Sequence, residues 1–382
     1  MTKSTLTLHC LMAAAVLIAA PMAGQARDLT FASGWPPGGS VPNSIEDTVE
    51  WIKANSDLNP THYPMSLLSF PETLAGLRDG VADIGYVLTP YFPKEFSETN
   101  LAADLTMLAT SGKPTAAPGL AMSAALAEYV VLHCPDCQAQ NRAQNQIYIG
   151  GGSTPDYSLL CDRPISKPED LKGVKVRVGA ANFGRWVENF GGVKVSISGG
   201  ELYEAMSQNA VDCGAVAIPE LINLQLIDVV SHITPGMPGG VFAGVGSANV
   251  NLDTWKSFTT EQRALMLKAG TRLMATINVT YVEAVEGGLN AAKDKGITFV
   301  EPSAELVAAS AAFVDADIKA IGAQFASTYG VKDVDTKIAK VSELIDKWKD
   351  LVNPVYKDRD AFEALLWAEI YSKVDPATYG LN

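Results

Sequence analysis

The sequence predicts an α/β protein of two lobes with mixed sheets, and three observations carry that expectation. First, the stretch from Ser166 to Gly214 reads as a strand (Val174 to Val178), a helix (Asn182 to Phe190), a strand (Val193 to Ile197), a helix (Glu201 to Asn209) and a strand start (Val211 to Val216). That βαβαβ order belongs to a lobe with a parallel sheet. Second, Glu72, Leu77, Asp83 and Gly85 are echoed by Glu201, Met206, Asp212 and Gly214 at a constant offset of 129, so a helix–strand unit in one lobe has a counterpart in another. Third, 382 residues with 47% hydrophobic and 19% charged content exceed what one small domain needs.

Taken in order, the chain opens with a secretory signal. Lys3 supplies the positive start and Leu11 to Ala20 an apolar run too short to span a bilayer. Small residues up to Ala26 then supply a cleavage site. The mature protein is therefore expected in the periplasm. Asp28 to Gly34 alternates as a first strand, and Asn43 or Ser44 is placed to cap a helix from Ile45 to Ala54. Pro64 to Leu68 reads as a strand, Pro71 to Gly80 as a short helix and Val81 to Val87 as a strand. Residues 101–127 read as helix, Tyr129 to His133 as a strand and Gln138 to Asn145 as a polar loop. The first lobe spans 27–152 plus about 242–252, where Phe242 to Asn249 returns as a strand, and the second spans 153–241. A long helical region from Asp253 to Lys295 is expected to lie across both lobes. Further helices follow to residue 345, and residues 346–382 form a C-terminal helical extension.

Four cysteines follow the signal, an even number that suits disulfides in an exported protein. Four allow three pairings; if Cys134-Pro-Asp-Cys137 closes on itself, Cys161 is left with Cys213. The net charge of −13 argues against a nucleic-acid partner, which needs a basic footprint. No Gly-x-Ser-x-Gly, His-Glu-x-x-His, P-loop or dinucleotide fingerprint is present, and His62, His133 and His232 lack metal spacing. His62 reads as a loop residue and His232 as a helix end. No enzyme, cofactor or metal is indicated.

One charge stands where charge is expensive. In Lys175-Val176-Arg177-Val178 the valines share one face of a strand and Arg177 points to the other, with Gly179-Ala180-Ala181-Asn182 opening the next helix. An arginine there presents a rigid fork suited to a carboxylate.

The run Ser166-Lys167-Pro168-Glu169-Asp170-Leu171-Lys172-Gly173-Val174-Lys175-Val176-Arg177-Val178 resembles the substrate-binding subunits of TRAP (tripartite ATP-independent periplasmic) transporters, the DctP-like receptors. Gly191-Gly192, Gly200-Glu201-Leu202-Tyr203-Glu204-Ala205-Met206, Ala210-Val211-Asp212 and the first-lobe Leu77 to Gly85 carry the same resemblance, which covers roughly 28–345. It implies a two-lobed periplasmic binding protein with hinge strands and a long helix spanning both lobes. It also implies an interlobe cleft that closes on an organic acid, with Arg177 pairing with the ligand carboxylate. Delivery would be to the small and large TRAP membrane subunits. The alternatives are a periplasmic sensor receptor or an enzyme on the same fold. The chain departs from the family pattern where Tyr157 stands for a second arginine and Val216 for a ligand-contacting asparagine. A pocket poorer in polar groups favours a monocarboxylate with an apolar or aromatic body, flanked by Trp35, Tyr157, Tyr91 and Phe183, with Val216 and Asp212 completing the expected site.

Overall fold

A computed structural model describes residues 26–381; the signal segment lies outside the described residues apart from Ala26. Two six-stranded sheets organise the chain. The first runs in the order Leu58–Pro64, Arg27–Ser33, Ile84–Leu88, Val245–Asn251, Gln146–Ile147, with Gly151–Gly152 also paired to the fourth of these. Its first three strands are parallel, and Val245–Asn251 is antiparallel to them, so the sheet is mixed. The second runs Thr298–Phe299, His232–Thr234, Tyr157–Cys161, Cys213–Ala217, Lys175–Arg177, Val193–Val195. Here Lys175–Arg177 is parallel to both neighbours, and Tyr157–Cys161 is antiparallel to Cys213–Ala217. The chain crosses between sheets three times, after Gly152, before Val245 and through the long helix that leads to Thr298, and an isolated bridge between Asp156 and Val241 ties the first two crossings together.

The echo at offset 129 is a real structural repeat. The helix Thr73–Arg78 corresponds to Leu202–Ser207, and the strand Ile84–Leu88 to Cys213–Ala217. Both helices end at a left-handed residue, Gly80 (φ 78°) and Asn209 (φ 56°). The paired aspartates do the same work in each lobe. Asp83 accepts the Thr30 N–H at 2.9 Å while its own N–H reaches the Thr30 carbonyl. Asp212 does so with Lys175, taking its N–H at 2.7 Å. Each aspartate therefore clamps its strand to the neighbouring one.

The helix Thr260–Asp294 is 35 residues long and starts from a capping box between Thr259 and Gln262. Two of its glycines let it lie against both lobes. A Cβ at Gly270 would collide with the Ile149 carbonyl, and one at Gly288 would sit 2.8 Å from that of Ile218. Eighteen residues of helix separate these contacts by roughly 27 Å. Among the described residues no helix is long and apolar enough to cross a membrane. The C-terminal helices Val334–Val352 and Arg359–Glu369 pack back onto the body. Trp348 Nε1 donates to buried Glu128 at 2.6 Å, and Lys349 Nζ donates to the Leu108 and Ser111 carbonyls.

Several local expectations are corrected. Residues 101–127 are not one helix but pieces at Ser97–Ala103, Thr106–Ala109 and Pro118–Glu128. Tyr129–His133 is not a strand but a wider helical turn continuing the last piece, because no breaker intervenes before Pro135 and packing overrides β-propensity. The CPDC segment opens a helix, Pro135–Ala143, in place of a loop. Pro135 suits its first turn, and the Cys134 sulfur accepts the Cys137 N–H at 3.0 Å. The first helix begins earlier than expected, at Ser40. The second strand precedes Pro64 rather than following it, on a sheet edge where Pro60 and Pro64 are tolerated. His62 thereby lies in a strand, as does His232. Both the Cys134–Cys137 and Cys161–Cys213 pairs are disulfide-bonded.

Candidate functional site: a buried arginine in an aromatic cavity

Arg177 ends the short strand Lys175–Arg177 and is buried, with 3% of its surface exposed. Its Nε donates to the Ile197 carbonyl at 3.0 Å, and its Nη2 donates to the Tyr91 hydroxyl at 2.8 Å. Tyr91 comes from the first lobe, and its oxygen also accepts the Gly199 N–H at 2.8 Å. Among the described residues no carboxylate oxygen lies within 4.0 Å of the Arg177 guanidinium. A buried cation with only neutral partners is costly, and an anion that docks on it recovers that cost.

The cavity beside Arg177 measures about 50 Å³ in this structure. Aromatic rings from both lobes form a continuous series around it. Trp35 meets Tyr86 and Phe70 edge-on at 6.1 and 5.1 Å, and Phe70 meets Tyr91 at 6.5 Å. Tyr91 meets Phe242 at 6.5 Å, and Phe242 is stacked at the same separation with Tyr157. Tyr91 also lines a wider outer cleft with Phe92, Ala180, Lys194 and Ser198, so it stands between that cleft and the inner cavity. The lobes touch across the cleft elsewhere too. Asn223 Oδ1 accepts from the Ser40 N–H and Oγ at 3.2 Å each, Asn182 Nδ2 donates to Thr106 Oγ1 at 2.8 Å, and Arg185 pairs with Asp104 at 2.9 Å.

Of the residues singled out in the sequence, Arg177, Tyr157, Trp35, Tyr91 and Val216 line this one cavity. Phe183 does not. It is fully buried behind Tyr157, stacked on that ring at 4.5 Å, and so supports the wall rather than forming it. Asp212 does not either. Its carboxylate is taken by the Lys175 N–H and by Arg163 at 2.8 Å, at the opposite end of the strand from Arg177. Aromatic character singled out Phe183 and the Ala210-Val211-Asp212 run singled out Asp212, but the layer to which each belongs depends on strand order.

Sequence reasoning missed Phe70, Tyr86, Phe242, Tyr281 and Glu220, all on the cavity wall. Glu220 carried a visible signal, a lone acid in Ala217-Ile218-Pro219-Glu220-Leu221-Ile222. Its Oε1 accepts from the Tyr281 hydroxyl at 3.1 Å, and its Oε2 makes no hydrogen bond. Burial pushes its carboxyl up to about 7, against opposing pulls from Tyr281, Asn223 and the Arg177 charge. Burial likewise holds the Tyr157, Tyr86 and Tyr281 phenols above their ordinary range. Among the described residues no cluster of three or more His, Cys, Asp or Glu is arranged to hold a metal ion.

Residues 145–324 match the family model DctP, bacterial extracellular solute-binding protein, family 7. A curated solute-binding protein of Albidiferax ferrireducens is 24% identical over 111 residues; the match spans 29% of this chain and 33% of that relative. Three solved structures share the fold. A marine metagenome TRAP solute-binding protein, from an unidentified microbe and described as specific for aromatic acid ligands, was crystallised with 3-hydroxybenzoate. It is 20% identical with a TM-score of 0.72, over 84% of this chain and 98% of that one. A TRAP solute-binding protein from Rhodoferax ferrireducens, with copurified benzoate, is 16% identical with a TM-score of 0.72, over 85% and 99%. One from Sulfitobacter sp. NAS-14.1, with bound β-D-galacturonate, is 16% identical with a TM-score of 0.66, over 84% and 100%. Residues 145–324 are thus similar to the DctP family of bacterial extracellular solute-binding proteins, and the fold along the rest of the chain is similar to that of solved TRAP solute-binding proteins.

Proposed function

We propose that this receptor captures a small monocarboxylate with an apolar, aromatic body and delivers it to the membrane permease of a TRAP transporter. The observation that carries the reading is Arg177, buried with neutral partners and no carboxylate within 4.0 Å among the described residues. A ligand carboxylate supplies the missing counter-charge. The rings of Trp35, Phe70, Tyr91, Tyr157 and Phe242 offer its body flat apolar surface. A polar sugar acid would leave several hydroxyls facing these rings, at the cost of unmade hydrogen bonds. Similar folds that hold benzoate and 3-hydroxybenzoate support the aromatic choice; the relative with galacturonate marks the competing one.

In this reading the ligand enters the outer cleft and passes Tyr91. Arg177 takes its carboxylate, and closure of the lobes about the crossing strands sequesters it. The closed form is what the permease receives. The mature protein acts in the periplasm, and no cofactor is required.

The test is thermal stabilisation by matched ligands. Benzoate and phenylacetate should stabilise the protein, by about 2.7 kcal/mol at a concentration a hundred times Kd. Benzamide and benzyl alcohol should not, and neither should succinate or galacturonate. Equal stabilisation by benzamide would remove the carboxylate assignment, and a dominant effect of galacturonate would remove the aromatic body.

A further inference from the structure

Two residues of the cavity wall carry a buried polar atom that makes no hydrogen bond, Trp35 Nε1 and Glu220 Oε2. One is a donor and the other belongs to a carboxyl group, and both side chains are buried. Arg177 accounts for neither. Glu220 is also held in position: the Tyr281 hydroxyl, from the long spanning helix, donates to its Oε1 at 3.1 Å and leaves Oε2 unused. A buried carboxyl on the cavity wall, oriented by one oxygen and with the other unpartnered, is a built recognition element. Left dry, it costs free energy.

We propose that Glu220 reads a hydroxyl group on the ligand, so that the cargo is an aromatic hydroxy acid and not a plain aromatic acid. The inference rests on the carboxylate reading of Arg177 and adds a second polar contact to it. The hydroxyl hydrogen-bonds Glu220 Oε2, and Trp35 Nε1 is the donor that the same cavity offers to a ligand oxygen. A hydroxyl suits the carboxyl in either protonation state, because it both donates and accepts. An ammonium group fits less well. It needs several acceptors around it, whereas Glu220 contributes one free oxygen, and burial favours the neutral acid. An ether accepts but cannot donate, which separates the cases experimentally.

Calorimetric titration decides. Benzoate and phenylacetate are compared with their 3- and 4-hydroxy and 3- and 4-methoxy derivatives, on the parent protein, Glu220→Met and Glu220→Gln. In the parent, at least one hydroxy acid should bind about tenfold tighter than its unsubstituted acid, and its methyl ether no tighter than that acid. In Glu220→Met the preference should fall to near one, whatever the absolute affinities. Glu220→Gln, which retains a donor and an acceptor, should keep part of it. A preference that survives in Glu220→Met overturns the assignment. So does a parent protein that binds benzoate or phenylacetate without preferring any hydroxy derivative, and that outcome leaves the carboxylate reading standing. Failure of every acid to bind removes both. Should Glu220→Met not fold, the hydroxy–methoxy comparison on the parent alone supports or overturns the assignment.

Discussion

Replacing Arg177 with methionine keeps much of the side chain's length and removes its charge, and the structure predicts different consequences for binding and for stability. In the unliganded protein the change deletes two hydrogen bonds, from Nε to the Ile197 carbonyl and from Nη2 to the Tyr91 hydroxyl. Each is donated by a charged group and contributes roughly 1.5–3 kcal/mol. The Tyr91 oxygen keeps the Gly199 N–H, so it is not orphaned. Against this stands the burial of a guanidinium with no carboxylate within 4.0 Å among the described residues, a penalty of several kcal/mol. The unliganded variant should therefore be about as stable as the parent. Binding should collapse. Truncating one partner of a buried charge pair costs about 2–5 kcal/mol, which is ~30-fold to several-thousand-fold in Kd. Urea denaturation of the unliganded proteins measures the first effect. Calorimetry with benzoate and benzamide on both proteins measures the second, as a double-mutant cycle. The reasoning is refuted if the variant loses several kcal/mol of stability while benzoate binds within threefold of the parent, since Arg177 would then be a structural residue and not the carboxylate site.

Three further outcomes are expected. Glu220, with a folded pKa raised from 4.5 to about 7, contributes stability that is fully present below pH 4.5 and lost as pH rises through 7; at about 1.4 kcal/mol per pH unit that comes to ~3 kcal/mol. The stability difference between the parent and Glu220→Gln should shift by that amount between pH 4 and pH 8 in denaturation curves, and a flat difference contradicts the burial argument. The Cys161–Cys213 disulfide joins register partners 52 residues apart, so replacing both with serine should cost about 4 kcal/mol; the loop closed by Cys134 and Cys137 is so short that its loss should cost about half as much, and the ranking is read from urea midpoints. Asp212→Asn should lower stability by about 1–3 kcal/mol through its contacts with Lys175 and Arg163 yet leave benzoate affinity within twofold, and a large loss of affinity would return Asp212 to the site.

Repeat and alternation are legible in the amino-acid order alone. The offset of 129 located two copies of one helix–strand unit, and the copies coincide element for element at 73–78 with 202–207 and at 84–88 with 213–217. Alternation in Lys175 to Val178 set Arg177 apart from its valine neighbours. Both signals are local, arising from one strand or one turn of helix, and both survive in the structure for that reason. Where local propensity met long-range packing the sequence misled, as in Tyr129–His133, whose branched residues continue a buried helix.

Which residues meet in the cavity is a matter of long-range packing. Trp35, Phe70, Tyr91, Tyr157 and Phe242 lie far apart in the chain, and nothing in their own neighbourhoods distinguishes a wall residue from a core residue. Phe183 illustrates the limit: it shares aromatic character with Tyr157 and sits one layer behind it. The Glu220–Tyr281 pair needs the long helix to bring a phenol from 61 residues away against the second lobe. Periodicity specifies which way a side chain faces along its own element. Which surface lies opposite is fixed by sheet order, by the chain crossings between sheets and by the approach of the lobes, and those are set by packing summed over the whole molecule.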